Sequence, residues 1–269
     1  MTKTVMLAGR RKASAKQGDD VTLARFVKTP GEADTRPRQL ALDTRHPAYM
    51  DGRSLFHNKQ VKKPETLRNL LVSGHSNMKI GRDVRKGKFR GYWIYTLSIE
   101  ERATCPRSCH HWASCYGNHM PWAKRVDHTT DDFLPRLEQE IEDLLAVRGR
   151  AGILVRLHAL GDFYSVDYVR FWRMLLMRHK RLAVYGYTAR DVDRDIGWAI
   201  RGLAADFRER AMIRFSNAAW PLMATVPITR LEQCPPNAFV CPEQTGRTQA
   251  CATCAACWGT PKNVAFIAH

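Results

Sequence analysis

From residue 91 onward, apolar and polar positions alternate between two periods, the signature of strands and helices in turn. Gly91–Ile99 (GYWIYTLSI) is aromatic and β-branched and predicts a strand that delivers the chain to Cys105. Residues 130–147 carry Leu134, Leu137, Ile141, Leu144 and Leu145 on one helical face, with Pro135 placed where a first turn tolerates it. Ala151–Ala159 (AGILVRLHA) predicts the next strand. Ser165 is positioned to cap a helix whose apolar face holds Val169, Trp172 and Leu176. A strand over Arg181–Tyr187, a helix over 193–206 with Ile196, Ile200 and Leu203, and strands at Ala211–Ser216, Ala238–Val240 and Asn263–Ile267 complete the pattern. Repeated β-α units joined by short loops imply parallel strands with right-handed crossovers. The expected fold is α/β: a complete or partial (β/α) barrel of the TIM type, with an open doubly wound sheet as the alternative.

Residues 1–67 lack this periodicity. Over residues 1–63 there are fourteen Lys/Arg against six Asp/Glu, broken by prolines at 30, 37 and 47. This stretch is expected to be a basic, loosely ordered N-terminal arm that wraps the domain or reaches a partner. The domain proper is expected over 68–269, with a cysteine-rich segment at 234–258. A second basic stretch, Arg82, Arg85, Lys86, Lys88 and Arg90 among Gly81, Gly87 and Gly91, reads as a turn-rich loop or hairpin entering the first strand.

Composition narrows the class. The chain has 269 residues, 44% hydrophobic, with a formal net charge of +17. Such charge favours a polyanionic partner, so nucleic acid bound through the basic arm is one expectation. No signal-peptide pattern opens the chain and no run approaches the ~18 apolar residues of a membrane span, so a cytoplasmic location with no membrane partner is expected. The pattern is silent on oligomeric state. In a reducing compartment clustered thiols favour metal over disulfide.

The eight cysteines fall into two groups. One is Cys105-x3-Cys109-x5-Cys115; the other is Cys241 leading into Cys251-x2-Cys254-x2-Cys257, with Cys234 left over as a buried thiol. Two-residue intervals match those of ferredoxin-type iron–sulfur ligands, whereas a four-thiolate zinc site more often pairs two separated C-x2-C knuckles. The spacing therefore ranks iron–sulfur above zinc, and zinc above disulfides. Two 4Fe–4S clusters with their thiolates would lower the net charge by roughly 3 and leave the protein strongly basic.

Polar residues recur just past the predicted strand ends, where α/β proteins place their sites. Arg156, His158, Gly161 and Asp162 close one strand; Tyr187, Thr188 and Arg190 the next; Arg214, Ser216 and Asn217 the one after; and His269 ends the chain. Of these, Arg156, His158, Asp162, Tyr187, Arg190 and Ser216 are the candidates for a pocket.

The motif order, from Cys105-Pro106 and Cys115-Tyr116 through Arg156-Leu157-His158-x2-Gly161-Asp162-Phe163-Tyr164-Ser165 and Tyr187-Thr188-x-Arg190 to Cys251-x2-Cys254-x2-Cys257-Trp258, resembles a largely uncharacterised family of small bacteriophage and prophage iron–sulfur proteins. That family is similar in layout to radical S-adenosylmethionine enzymes, and the likeness covers roughly residues 68–269. It implies host cytoplasm as the location. It also implies a 4Fe–4S cluster on Cys105, Cys109 and Cys115, with S-adenosylmethionine on the remaining iron and Gly161-Asp162 near the cofactor's amino group. Two departures stand out: the cysteine spacing is x3 then x5, not x3 then x2, and a single Gly precedes Asp, where the pattern has two Gly and a Glu. His110, His111, His119 or Cys234 are alternative fourth ligands that would close the site. Three classes therefore remain open: a redox or radical enzyme, an iron–sulfur nucleic-acid-binding or regulatory phage protein without catalysis, and a zinc-stabilised interaction protein.

Overall fold

The computed structural model describes residues 41–216 and 223–267. Its frame is an eight-stranded sheet: β1 (Leu71–Ser73), β2 (Trp93–Ser98), β3 (Ile153–Leu160), β4 (Leu182–Thr188), β5 (Ala211–Ser216), β6 (Ala224–Ile228), β7 (Ala238–Val240) and β8 (Asn263–Ile267). Spatial order is β1-β2-β3-β4-β5-β6-β8-β7. β1 pairs antiparallel with β2, and every other pairing is parallel. The fold is therefore α/β with a mixed sheet.

Three helices connect the parallel strands: α1 (Phe133–Val147), α2 (Val166–Arg178) and α3 (Asp195–Asp206). Pro135 lies in the first turn of α1, where its missing N–H costs no helical bond. The Ser165 side chain accepts from the Tyr168 N–H and so starts α2.

Strand periodicity sorts the core into two layers. Leu97, Val155, Leu157, Val184, Ile213 and Phe215 face the helices and pack with Leu137, Ile141, Trp172, Leu175, Ile200 and Leu203. Ile94, Leu154, Ala183, Tyr185 and Met212 face the other way. No residue of α1–α3 joins that second layer; it is covered by Ile80, Val84, Phe89, Cys251, Ala252, Ala255 and Trp258. One face of the sheet thus belongs to helices and the other to the basic turn and the Cys251–Trp258 segment.

Of the basic arm expected over 1–67 to wrap the domain or reach a partner, only residues 41–67 are described. Residues 1–40 lie outside the described residues, but 41–67 are laid on the domain. Leu42 N–H donates to Ala113 O at 3.1 Å, Trp112 Nε1 to Tyr49 O at 3.3 Å, and Arg107 Nη2 to Met50 O at 2.5 Å. Buried Leu42, Ala48 and Leu67 supply the apolar contacts that prolines and cations obscure in the sequence.

Candidate metal centre

Cys105 caps a single helical turn, Glu101–Thr104, that follows β2. Burial first, then the Asp162 carboxylate and the sulfurs of Cys109 and Cys115, push the Cys105 thiol well above its usual range. Burial, followed by Glu101, lifts Cys115 to about 11. The three cysteines are half-buried and their sulfurs act on one another electrostatically.

The loop bearing Cys109 and Cys115 is held by buried charges. Arg125 pairs with Glu101 through Nε–Oε2 at 2.9 Å and Nη2–Oε1 at 3.0 Å, and donates to the carbonyls of Gly117, Met120 and Ala123. Arg102 donates to Trp112 O at 3.1 Å and Asn118 Oδ1 at 2.8 Å. Ser54, from the packed arm, donates to Glu101 Oε1 at 3.1 Å. Sequence reasoning missed Glu101, Arg102 and Arg125, since charged residues read as surface. The cue that was available is their placement immediately beside the cysteine segment.

The second group converges more tightly. Cys241, Cys251, Cys254 and Cys257 all line one narrow pocket of about 10 Å³, whose remaining wall is Phe239, Pro242, Glu243, Ala256, Trp258 and Val264. Burial, with Cys257 as the next cause, raises the thiols of Cys241 (to about 11) and Cys251; burial also raises Cys254. Buried thiols of this kind ionise only against concentrated positive charge. Part of it is at hand, since Lys79 acts on Cys241 and Cys251, Lys86 on Cys254, and Arg156 on Cys251.

Both lysines arrive on or beside the basic turn, which docks on the short helix Cys251–Cys254. Cys251 N–H donates to Lys79 O at 2.8 Å, Ala252 N–H to Ile80 O at 2.9 Å, and Arg85 N–H to Ala252 O at 2.9 Å. Gly81, at φ +86°, permits this approach; a Cβ there would stand 2.7 Å from the Ala252 methyl. Arg214 holds the following segment by donating to Lys262 O (2.6 Å), Thr260 O (2.5 Å) and Cys257 O (3.4 Å). Cys234 is not among the cavity residues; its sulfur lies 3.7 Å from Pro235 O.

Four thiols share one small pocket and three more follow β2, a donor type that soft metals favour. Among the described residues, no three His, Cys, Asp or Glu side chains are drawn together tightly enough to hold a single metal ion. Ligands of a four-iron cluster each bind a different iron and stand further apart than ligands of one ion.

The polar strand-end residues divide. Arg156 and Tyr187 share the loop-covered face. The Arg156 guanidinium stands 5.1 Å from the Tyr187 ring centroid and 5.9 Å from that of Tyr185, and its solvent-shielded Nε has no hydrogen-bond partner among the described residues. Tyr116 is 43% exposed as a residue, yet burial of its hydroxyl lifts it to about 12, against the pull of Arg156. Tyr187 Oη donates to Cys257 Sγ at 3.0 Å.

His158 does not join them. The pairing of β2 with β3 shifts between Thr96↔Arg156 and Ser98↔Leu160, and a bulge of this kind re-aims side chains. His158 therefore enters the helix layer, with Nε2 2.9 Å from Tyr168 Oη.

Asp162 and Arg190 act as staples. Asp162 accepts from Phe163 N–H (2.7 Å) and Ala189 N–H (2.8 Å), while its own N–H donates to Thr104 Oγ1 at 3.1 Å. Arg190 donates to Phe163 O at 2.6 Å and to Thr104 O. Gly161, at φ +94°, presses against Ile99, where a Cβ would meet Ile99 Cγ1 at 2.4 Å. Together they fasten the ends of β3 and β4 to the turn that presents Cys105. Ser216 is half-buried at the end of β5, whereas Asn217 and His269 lie outside the described residues.

Among the described residues no helix is long and apolar enough to cross a membrane. A family model described as Gene product 88 matches residues 68–202, half of the chain. No curated protein and no solved structure matches it.

Proposed function

The chain belongs to the Gene product 88 family of phage proteins, and we propose that it is an iron–sulfur protein with two 4Fe–4S clusters flanking a radical-enzyme-like interior. One observation carries the reading: Cys241, Cys251, Cys254 and Cys257 meet on a single narrow pocket. These four would hold one cluster, and Cys105, Cys109 and Cys115 the other. When bound, such clusters supply one-electron chemistry, and one held by only three thiolates leaves an iron for an outside ligand such as S-adenosylmethionine.

The protein's own part is placement. Glu101, Arg102 and Arg125 fix the first cysteine loop. Phe239, Trp258 and Val264 make most of the second pocket's wall apolar, with Glu243 also in its lining, a setting that controls solvent access. Arg156 puts a positive charge beside Cys251 and the Tyr116 hydroxyl. Asp162 and Gly161 shape the first site, and both Asp162 oxygens are already engaged by backbone amides.

We read the sheet as a partial (β/α) barrel. Strands β2 to β6 are neighbours in chain order with α1–α3 on one face, as in a singly wound sheet, whereas a doubly wound sheet reverses its strand order and carries helices on both faces.

The test is electron paramagnetic resonance of anaerobically prepared, reduced protein with and without S-adenosylmethionine. A changed spectrum, together with formation of 5′-deoxyadenosine, supports an open iron at the Cys105 group. An unaltered spectrum with no turnover rejects that part of the reading.

A further inference from the structure

Tyr187 is locked in place by its neighbours. Its ring meets Phe266 edge-on with centroids 5.6 Å apart, and the Arg156 guanidinium stands 5.1 Å from its centroid. Its hydroxyl donates to Cys257 Sγ at 3.0 Å. On the adjacent strand, Arg214 donates to the carbonyls of Cys257, Thr260 and Lys262 and so holds the backbone that carries the sulfur. An O–H aimed at a ligand sulfur draws electron density from it, and hydrogen bonds to ligand sulfurs are one of the means by which a protein sets a cluster's reduction potential.

We propose that Tyr187 is a potential-setting residue. Its hydroxyl holds the cluster on Cys241, Cys251, Cys254 and Cys257 at a higher reduction potential than the four thiolates alone would give. This rests on the cluster reading above. The couple is a one-electron reduction by an external low-potential donor. No bond to the tyrosine forms or breaks, and its proton stays on the oxygen. The more negative, reduced cluster gains most from the hydrogen bond, and the Arg156 cation beside Cys251 acts in the same direction.

The experiment is a redox titration of the full-length anaerobic protein followed by electron paramagnetic resonance, with iron and sulfide measured on each sample. The signal to follow is the one missing from Cys254→Ser. Tyr187→Phe is expected to keep its iron and sulfide while the midpoint falls by roughly a tenfold change in the oxidised-to-reduced ratio, about 59 mV for one electron. An unmoved midpoint at full iron content overturns the inference and leaves the cluster reading intact. Wild-type protein without iron and sulfide overturns both. Should Tyr187→Phe not fold, 3,5-difluorotyrosine at position 187, a stronger donor, must raise the midpoint, and failure to do so overturns the inference.

Discussion

Arg125 clasps Glu101 through two contacts, at 2.9 and 3.0 Å, and the 23 residues strung between them carry Cys105, Cys109 and Cys115. Both side chains are almost wholly out of water, at 0% and 2% exposure. A buried pair is a weak source of net stability, but removing one partner strands the other. Arg125→Met is therefore expected to cost about 3–5 kcal/mol in denaturant unfolding. Glu101→Met combined with Arg125→Met should recover a substantial part of that loss. Arg125→Lys should rescue poorly, because a point ammonium cannot reproduce the fork. Equal stability of wild type and Arg125→Met would contradict this role.

Gly161 offers a second test. Its positive φ and the 2.4 Å approach that a Cβ would make to Ile99 Cγ1 leave no room for a side chain. Gly161→Ala should lose more than about 1 kcal/mol, read as a lower Tm, since backbone strain and steric clash act together. The damage should centre on the turn before Cys105, against which Gly161 packs.

His158 gives a pH dependence with a definite sign. Burial, and then the Arg156 charge, push its imidazole down to about 3. The unfolded chain takes up a proton near pH 6.5, which the folded protein refuses until about pH 3. Between these values the unfolded state binds more protons, so stability falls as pH falls, with a slope reaching about 1.4 kcal/mol per pH unit. Asp162, raised by burial to about 6, works in the opposite sense, gaining stability as pH falls from 6 toward 4. His158→Gln should flatten the decline below pH 6.5 in denaturation series. An unchanged pH profile in that variant would contradict a buried neutral imidazole.

Much of the frame was legible because period and packing agree. β5, β7 and β8 have the bounds read from the chain, and α1 ends where its apolar stripe does. β6 was not legible: Pro227 interrupts it, and is tolerated because only Ala224 and Thr225 pair with β5. β1 escaped notice as a three-residue antiparallel edge. The two cysteine groups were readable as groups, since spacing alone clusters thiols. The purpose of the polar strand ends was not, because alternation cannot foresee the bulge that turns His158 away from Arg156, nor the backbone amides that occupy Asp162.

Ser165 supplies a local check on the frame. Its side chain caps the start of α2, accepting from Tyr168 N–H at 3.1 Å. Ser165→Ala should cost about 1 kcal/mol, whereas Ser165→Asp should be nearly neutral. A neutral alanine substitution in thermal unfolding would show that the cap contributes nothing.

The most direct measurement is iron and acid-labile sulfide per chain in protein purified without oxygen. Two four-iron clusters require about eight of each, falling by about half in Cys254→Ser and again by about half in Cys109→Ser. Folded protein that is colourless and sulfide-free, or that carries zinc alone, would contradict the account.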